Sequence, residues 1–194
     1  MAPTCPILIQ ADVVPPQPWK NGGGETRELL TWPSRDEWRV RISLAEIRSD
    51  GPFSEFPGVW RWFTVVEGDG VCLTFADFEH VATTASGPIS FDGASPPGCR
   101  LRNGPTRDLN LMTRNARSTM RTAVPGEPWA SSYSQCGLFT AVPGTLIQAE
   151  GPDLPLPAFT LAWYEVAPSG SVCFETSEVR PDSSPVGWWM GFGP

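Results

Sequence analysis

The chain has 194 residues, 40% of them hydrophobic, with nine Trp and ten Phe, which supplies enough apolar surface for a packed core and argues against disorder of the whole chain. A net charge of −7 and a pI of about 4.7 oppose a nucleic-acid footprint, which would be a basic stripe. Pro (22) and Gly (19) interrupt the sequence too often for long helices and favour short strands joined by tight turns.

The first ten residues, "MAPTCPILIQ", lack the charged start and long apolar core of a signal peptide. No apolar run approaches the roughly 18 residues of a membrane span, so no membrane partner is expected. Cys5, Cys72, Cys99, Cys136 and Cys173 are odd in number and widely spaced, with no CxxC. Free thiols in a reducing, cytoplasmic compartment fit that pattern.

A strand is expected over residues 7–13. The stretch "WKNGGGETREL" (19–29) follows and runs into a strand over 26–31 that ends at Pro33. A phosphate loop would need Lys-Ser or Lys-Thr after the glycines and a helix to receive the anion. A dinucleotide fingerprint needs GxGxxG between strand and helix. Neither context is present. Glycines at a strand start instead let backbone approach a ligand or another strand closely, or simply form an entry turn at a sheet rim.

"RVRISLAEI", within the strand expected over 38–47, alternates cleanly: Val40, Ile42 and Leu44 face one way, Arg39, Arg41 and Ser43 the other. "GPFSEFPGVWRW" (51–62) concentrates polar groups and aromatics ahead of a strand over 62–67. "VVEGDGVCLTF" (65–75) reads as a hairpin, with Gly68-Asp69-Gly70 able to supply positive φ. His80, the single histidine, falls near an expected turn and is read as an exposed loop residue. One histidine without a Cys pair supplies neither a zinc or iron site nor a Ser-His-Asp site, and no GxSxG occurs. Lys20 is the single lysine; the remaining cationic side chains are Arg, a bias that a GC-rich genome accounts for as readily as anion binding does.

In "DLNLMTR" (108–114), alternation puts Asp108, Asn110, Met112 and Arg114 on one face and Leu109, Leu111 and Thr113 on the other. A solvated outer face is one reading of the polar set. Met112 among three polar residues suits the mixed wall of a ligand cavity. Further strands are expected over 138–142, 145–149, 159–165 and 171–175, with no twelve-residue helical stripe anywhere. Evenly spaced short strands point to an all-β barrel or sandwich. "FTVVEGDGVCLTF" (63–75) resembles "LAWYEVAPSGSVCFET" (161–176), about half a chain further on, as a duplication would leave it. The ending "VGWWMGFGP" offers either a homodimer surface or a barrel-closing strand.

Three strings, "WKNGGGETREL", "WRVRISLAEI…GPFSEFPG..R" and "DLNLMTR", closely resemble the HutD/Ves family in kind and order. The match covers about residues 19–114; the C-terminal half is similar only loosely. Trp60 and Ala94 depart from it, each standing where the family has an acid. The resemblance implies an all-β bicupin: two cupin-like β-barrels packed together, with halves at residues 1–115 and 116–194 and strands exchanged between them. Laid on this chain by spacing, the cupin metal pattern falls on Ser54, Phe56, Arg61 and Gly68, so the histidines are gone and an Arg replaces the Glu. That implies no metal and no cofactor.

The resemblance further implies a regulatory, small-molecule role in histidine utilisation, whose metabolites are small carboxylates: urocanate, formiminoglutamate and formylglutamate. On that reading Arg61 anchors the carboxylate with Arg114 as a second cation. Asn21, Asp108 and Asn110 orient the polar remainder; Trp19, Phe53, Phe56 and Met112 line the walls; Gly22 and Gly23 bring backbone N–H groups close. Binding is favoured over catalysis. The alternatives are a cofactor-independent isomerase or epimerase using Glu25, Glu46 or Asp108 as base, and a protein-interaction module.

Overall fold

The computed structural model describes residues 5–180 and 184–193. The chain divides into two compact units: Val14–Asn115, and the residues before Val14 together with those from Ala116 onward. β1 (Ile7–Gln10) therefore belongs with the C-terminal part, and a single 3₁₀ turn, Ala11–Val13, ends it where a longer strand was expected. That turn is the only helical element among the described residues, and no helix is long and apolar enough to cross a membrane.

The first unit carries β2 (Gln17–Pro18), β3 (Gly24–Trp32), β4 (Val40–Ile47), β5 (Gly51–Pro52), β6 (Val59–Glu67), β7 (Val71–Thr74), β8 (Glu79–Ala82), β9 (Ile89–Asp92), β10 (Gly98–Leu101) and β11 (Thr106–Arg114). They form a six-stranded antiparallel sheet, β2-β3-β4-β11-β6-β9, and a four-stranded one, β5-β10-β7-β8. Ile47, Phe63 and Val65 from the larger sheet meet Val71, Leu73 and Cys99 from the smaller in one apolar core. The alternation read in β4 and β11 holds, but both faces are buried. Ile42, Leu44, Leu109 and Leu111 are shielded on one side, and Ser43, Asp108 and Asn110 on the other.

The second unit adds β12 (Arg117–Thr122), β13 (Gln135–Thr140), β14 (Gly144–Ile147), β15 (Leu154–Leu156), β16 (Thr160–Tyr164), β17 (Cys173–Glu175) and β18 (Gly187–Gly193). Its sheets are β1-β16-β13-β18-β12 and β15-β14-β17, with Leu138, Ala162 and Trp189 facing Leu146, Leu156 and Phe174 between them. The Trp-rich ending is a central strand of this sheet. Trp189 stacks on Trp129 at 4.8 Å within the core of this unit, and Trp188, on the opposite face of the strand, is fully buried against Phe139.

The hairpin expected at residues 65–75 is not formed. β6 and β7 belong to different sheets, and β7 is bonded along its whole length on both sides, by β10 and β8, so it has no edge left for β6. Gly68 and Gly70 do adopt positive φ, +89° and +88°, but they use it to carry the chain from one sheet to the other. The similar stretch at 161–176 does the same: β16 lies between β1 and β13, while β17 pairs with β14. His80 lies on β8, half-buried, and not in a loop. All five cysteines are free thiols.

Two glycines separate conformational cost from steric cost. At Gly104 (φ +90°) an added methyl meets open space, whereas at Gly70 it would overlap the Ala82 carbonyl. Gly104→Ala should lose only the left-handed backbone term, about 1–2 kcal/mol. Gly70→Ala should lose distinctly more by urea denaturation. Equal losses would mean that the sheet-switching turn yields freely.

Candidate functional site

The register of the larger sheet assembles the site in three rows. Antiparallel partners share a face, so Arg41, Met112 and Arg61 lie side by side across β4, β11 and β6. Ser43, Asn110 and Phe63 form the next row, and Ala45, Asp108 and Val65 the third. This face is the floor of a cavity of about 650 Å³, walled by Trp19, Lys20 and Asn21 from the β2–β3 turn and by Phe53, Ser54 and Phe56.

The triple-glycine turn works through Trp19. Its backbone closes on itself: the Trp19 N–H donates to Gly24 O at 2.9 Å, and the Gly22 N–H to Trp19 O at 3.0 Å. Asn21 Oδ1 accepts from the Gly23 N–H at 3.0 Å. Gly24 has no room for a Cβ, since the Glu46 carbonyl and the Trp19 ring occupy that space. The glycine thus lets the indole lie against β3, where its Nε1–H donates to Thr26 Oγ1 at 2.8 Å. Gly22 and Gly23 are not part of the cavity lining, and both N–H groups are already committed within the turn. The expectation that they reach a ligand is therefore corrected: the glycines position a wall, not a donor.

At the floor, Arg61 Nη2 donates to Asn110 Oδ1 at 2.9 Å, and Asn110 Nδ2 donates to Asp108 Oδ2. All three side chains are buried, Arg61 at 7% exposure and Asp108 at 2%. The guanidinium lies 5.0 Å from the Phe53 ring centre, 5.2 Å from Phe91 and 5.8 Å from Phe56. Among the described residues, Arg61 Nε, Arg61 Nη1 and Asp108 Oδ1 have no hydrogen-bond partner. Burial lowers the Arg61 pKa to about 10, helped by nearby Arg41 and opposed by Asp108, so the group stays cationic at neutral pH. Burial pushes Asp108 up to about 7, against the pull of Asn110 and Arg61.

Trp19, Asn21, Phe53, Phe56, Arg61, Asp108, Asn110 and Met112 are thus brought together on one cavity. Arg114 is not among its lining; it lies over the Trp38 ring at 4.0 Å, and Trp38 in turn packs with Met112 and Phe56. Its position at the end of β11 makes it a support for the wall and not a second anchor. Sequence reasoning left out Arg41, Ser43 and Lys20. Arg41 and Ser43 were legible as one face of β4; what was missing was the register that lays that face beside Asn110 and Met112. Arg41 Nε meets Glu28 Oε2 at 3.1 Å. Glu25 and Glu46, considered as bases, both pair with Arg48, at 3.0 and 2.6 Å, which leaves Asp108 as the carboxylate of the lining.

One carboxylate beside two guanidiniums and an ammonium is a poor donor set for a metal ion, though cupin-like folds commonly hold one. The lining suits an anion, even in a protein of net charge −7.

Two-sheet β units, one with a side-chain-lined cavity inside it, define a cupin-like protein. Residues 11–167 match the family model described as HutD, and the chain belongs to the HutD family. An uncharacterized 21.2 kDa protein in the hutC 3′ region of Pseudomonas putida is 36% identical over 107 residues, 54% of this chain. The chain spans just over half, 56%, of that relative. Protein Ves of Citrobacter koseri is 36% identical over 129 residues, 65% of this chain and 67% of the relative. Among solved structures, a conserved protein of unknown function from Pseudomonas aeruginosa PAO1 superposes with a TM-score of 0.83 at 25% identity, covering 97% of this chain and 98% of that one.

The raised pKa of Asp108 sets a pH dependence. Its folded value lies above the unfolded one near 4, so the stability held by the protonated form is complete below about pH 4 and is lost as pH rises to about 7. Against Asp108→Asn, which does not titrate, the wild type should lose about 2–3 kcal/mol between about pH 5 and 8 in urea titrations. A difference that does not change with pH would mean that Asp108 ionises as a surface carboxylate does.

Proposed function

We propose that the cavity of the first unit binds a small carboxylate metabolite without a metal, in a regulatory role linked to histidine utilisation. The observation that carries this reading is Arg61, buried and cationic, with Nε and Nη1 both lacking a partner. Each of those atoms shares an edge of the guanidinium with Nη2, which keeps a second N–H beyond the one given to Asn110, so a carboxylate can still meet two donors of the fork. Aromatic walls at Trp19, Phe53 and Phe56 suit a flat or short-chain acid. The name of the Pseudomonas putida relative supports the link to a hut region. Free thiols suit a cytoplasmic setting.

A second reading, a cofactor-independent isomerase or epimerase, is favoured by one observation: the lining carboxylate, Asp108, titrates near neutrality, where a general base works best. Deuterium exchange from solvent into a bound acid distinguishes the two, since a sensor returns its ligand unlabelled.

The binding test is a thermal-shift panel of urocanate, formiminoglutamate, formylglutamate, histidine, glutamate, simple dicarboxylates and divalent metals. A ligand at about 100 times its Kd adds about 2.7 kcal/mol, which should raise the melting temperature of a chain this size by several degrees. Arg61→Ala should abolish the shift produced by the selected acid. Unaltered affinity in that variant would remove Arg61 from the site, and a shift with metals alone would overturn the carboxylate reading.

A further inference from the structure

Resting on the carboxylate reading above, we infer that Asp108 selects the ligand: the cavity takes a small carboxylate that also presents a neutral N–H or O–H donor, and Asp108 Oδ1 is the acceptor that reads it. The argument is one of forced hydrogen-bond direction. Arg61 has donors only, so the Asn110 atom that it contacts must be the amide oxygen. The Asn110 amide nitrogen is therefore the atom turned toward Asp108, and it occupies Asp108 Oδ2. That fixes which carboxylate oxygen is taken and leaves Oδ1 without a partner, in a side chain 2% exposed. The chain thus ends at both extremities in an unmet demand. Arg61 asks for an acceptor and ionised Asp108 for a donor, with one amide between them.

The surroundings leave that demand unmet: Ser43, the hydroxyl of the middle row, makes no bond to Oδ1. Asn110 is committed on both amide atoms. Met112 and Ala45 flank the rows and carry no donor. Cys99, on β10 of the facing sheet, feels the Asp108 charge; burial, chiefly, pushes its thiol up to about 12, so it keeps its proton, but an S–H is only a weak donor and Oδ1 has no bond to it. A buried acceptor left empty disfavours a site, and a ligand supplying the donor recovers that loss. A site built around such a bond rejects the analogue that lacks it far more strongly than an apolar pocket rejects a missing methylene. With Lys20, Arg41 and Arg61 already in the lining, a neutral donor adds no further positive charge.

The experiment is calorimetry on the full chain with a matched, non-titrating pair: 3-(pyrrol-2-yl)acrylate, which has a ring N–H, and 3-(furan-2-yl)acrylate, which has a ring oxygen in its place. The wild type should bind the pyrrole acid at least tenfold more tightly. A bound carboxylate raises the Asp108 pKa, while a donor on Oδ1 opposes that rise. Near pH 7, in two buffers of different ionisation enthalpy, the furan acid should therefore take up more protons than the pyrrole acid.

In Asp108→Asn, Asn110 still donates to the amide oxygen of the substituted side chain, so the atom left facing the ligand is a donor. The preference should shrink or reverse toward the furan acid. Asp108→Leu, which has neither group, should bind the two acids equally. Equal affinity of the wild type for both acids, with binding still dependent on Arg61, would overturn the role of Asp108 and leave the carboxylate reading standing. Binding of neither acid would overturn both.

Discussion

The placement of β11 between β4 and β6 is the constraint on which the site depends. Each β11 residue has a partner on both sides, so the row of Arg41, Met112 and Arg61 and the two rows beyond it follow from one register. A slip of one residue would turn Leu109 and Leu111 into the cavity and send Asp108 and Asn110 to the other face. Such a slip is opposed from both directions, because the opposite face is closed by Ile42, Leu44, Leu109 and Leu111, all essentially inaccessible. A strand apolar on one side and polar on the other, yet buried on both, has one acceptable alignment.

That alignment carries an energetic cost. Burying a guanidinium, an amide and a carboxylate in a protein interior is unfavourable unless every polar atom is met. Here the three side chains satisfy one another only in part. The remaining imbalance appears in the titration of the groups: Arg61 falls and Asp108 rises, both chiefly through desolvation. Leu or Val at these positions would stabilise the sandwich more, so the local rule of apolar cores is broken where a ligand would restore the balance. The aromatic rings around Arg61 moderate the cost by presenting their negative faces to the cation.

The triple-glycine turn, the strand-switching glycines and the hydrogen-bonded floor are parts of one design. Gly24, with no Cβ to overlap the Glu46 carbonyl, lets β3 begin close against β4 with the Trp19 indole packed tightly on it, and so closes one wall. Gly68 and Gly70 carry β6 out of the large sheet as β7 enters the small one, which sets the facing layer over the core. Each glycine acts on the cavity through what it allows its neighbours to do.

Alternation along residues 40–44 and 108–114, frequent breakers and the absence of any helical stripe were enough to determine an all-β chain and to mark Asp108, Asn110 and Met112 as one surface. These are local properties, set by the two-residue period of a strand and by the φ freedom of glycine. The tertiary structure alone decided which strands are neighbours. It turned an apparent hairpin into a crossing between sheets, moved Arg114 off the cavity and onto Trp38, and committed the Gly22 and Gly23 N–H groups to their own turn. It also added Arg41, Ser43 and Lys20 to the lining. The physical reason is that a strand's sequence specifies the composition of its two faces but not the partner that hydrogen-bonds to each edge. A binding site formed across β4, β11 and β6 exists only once those edges have been assigned.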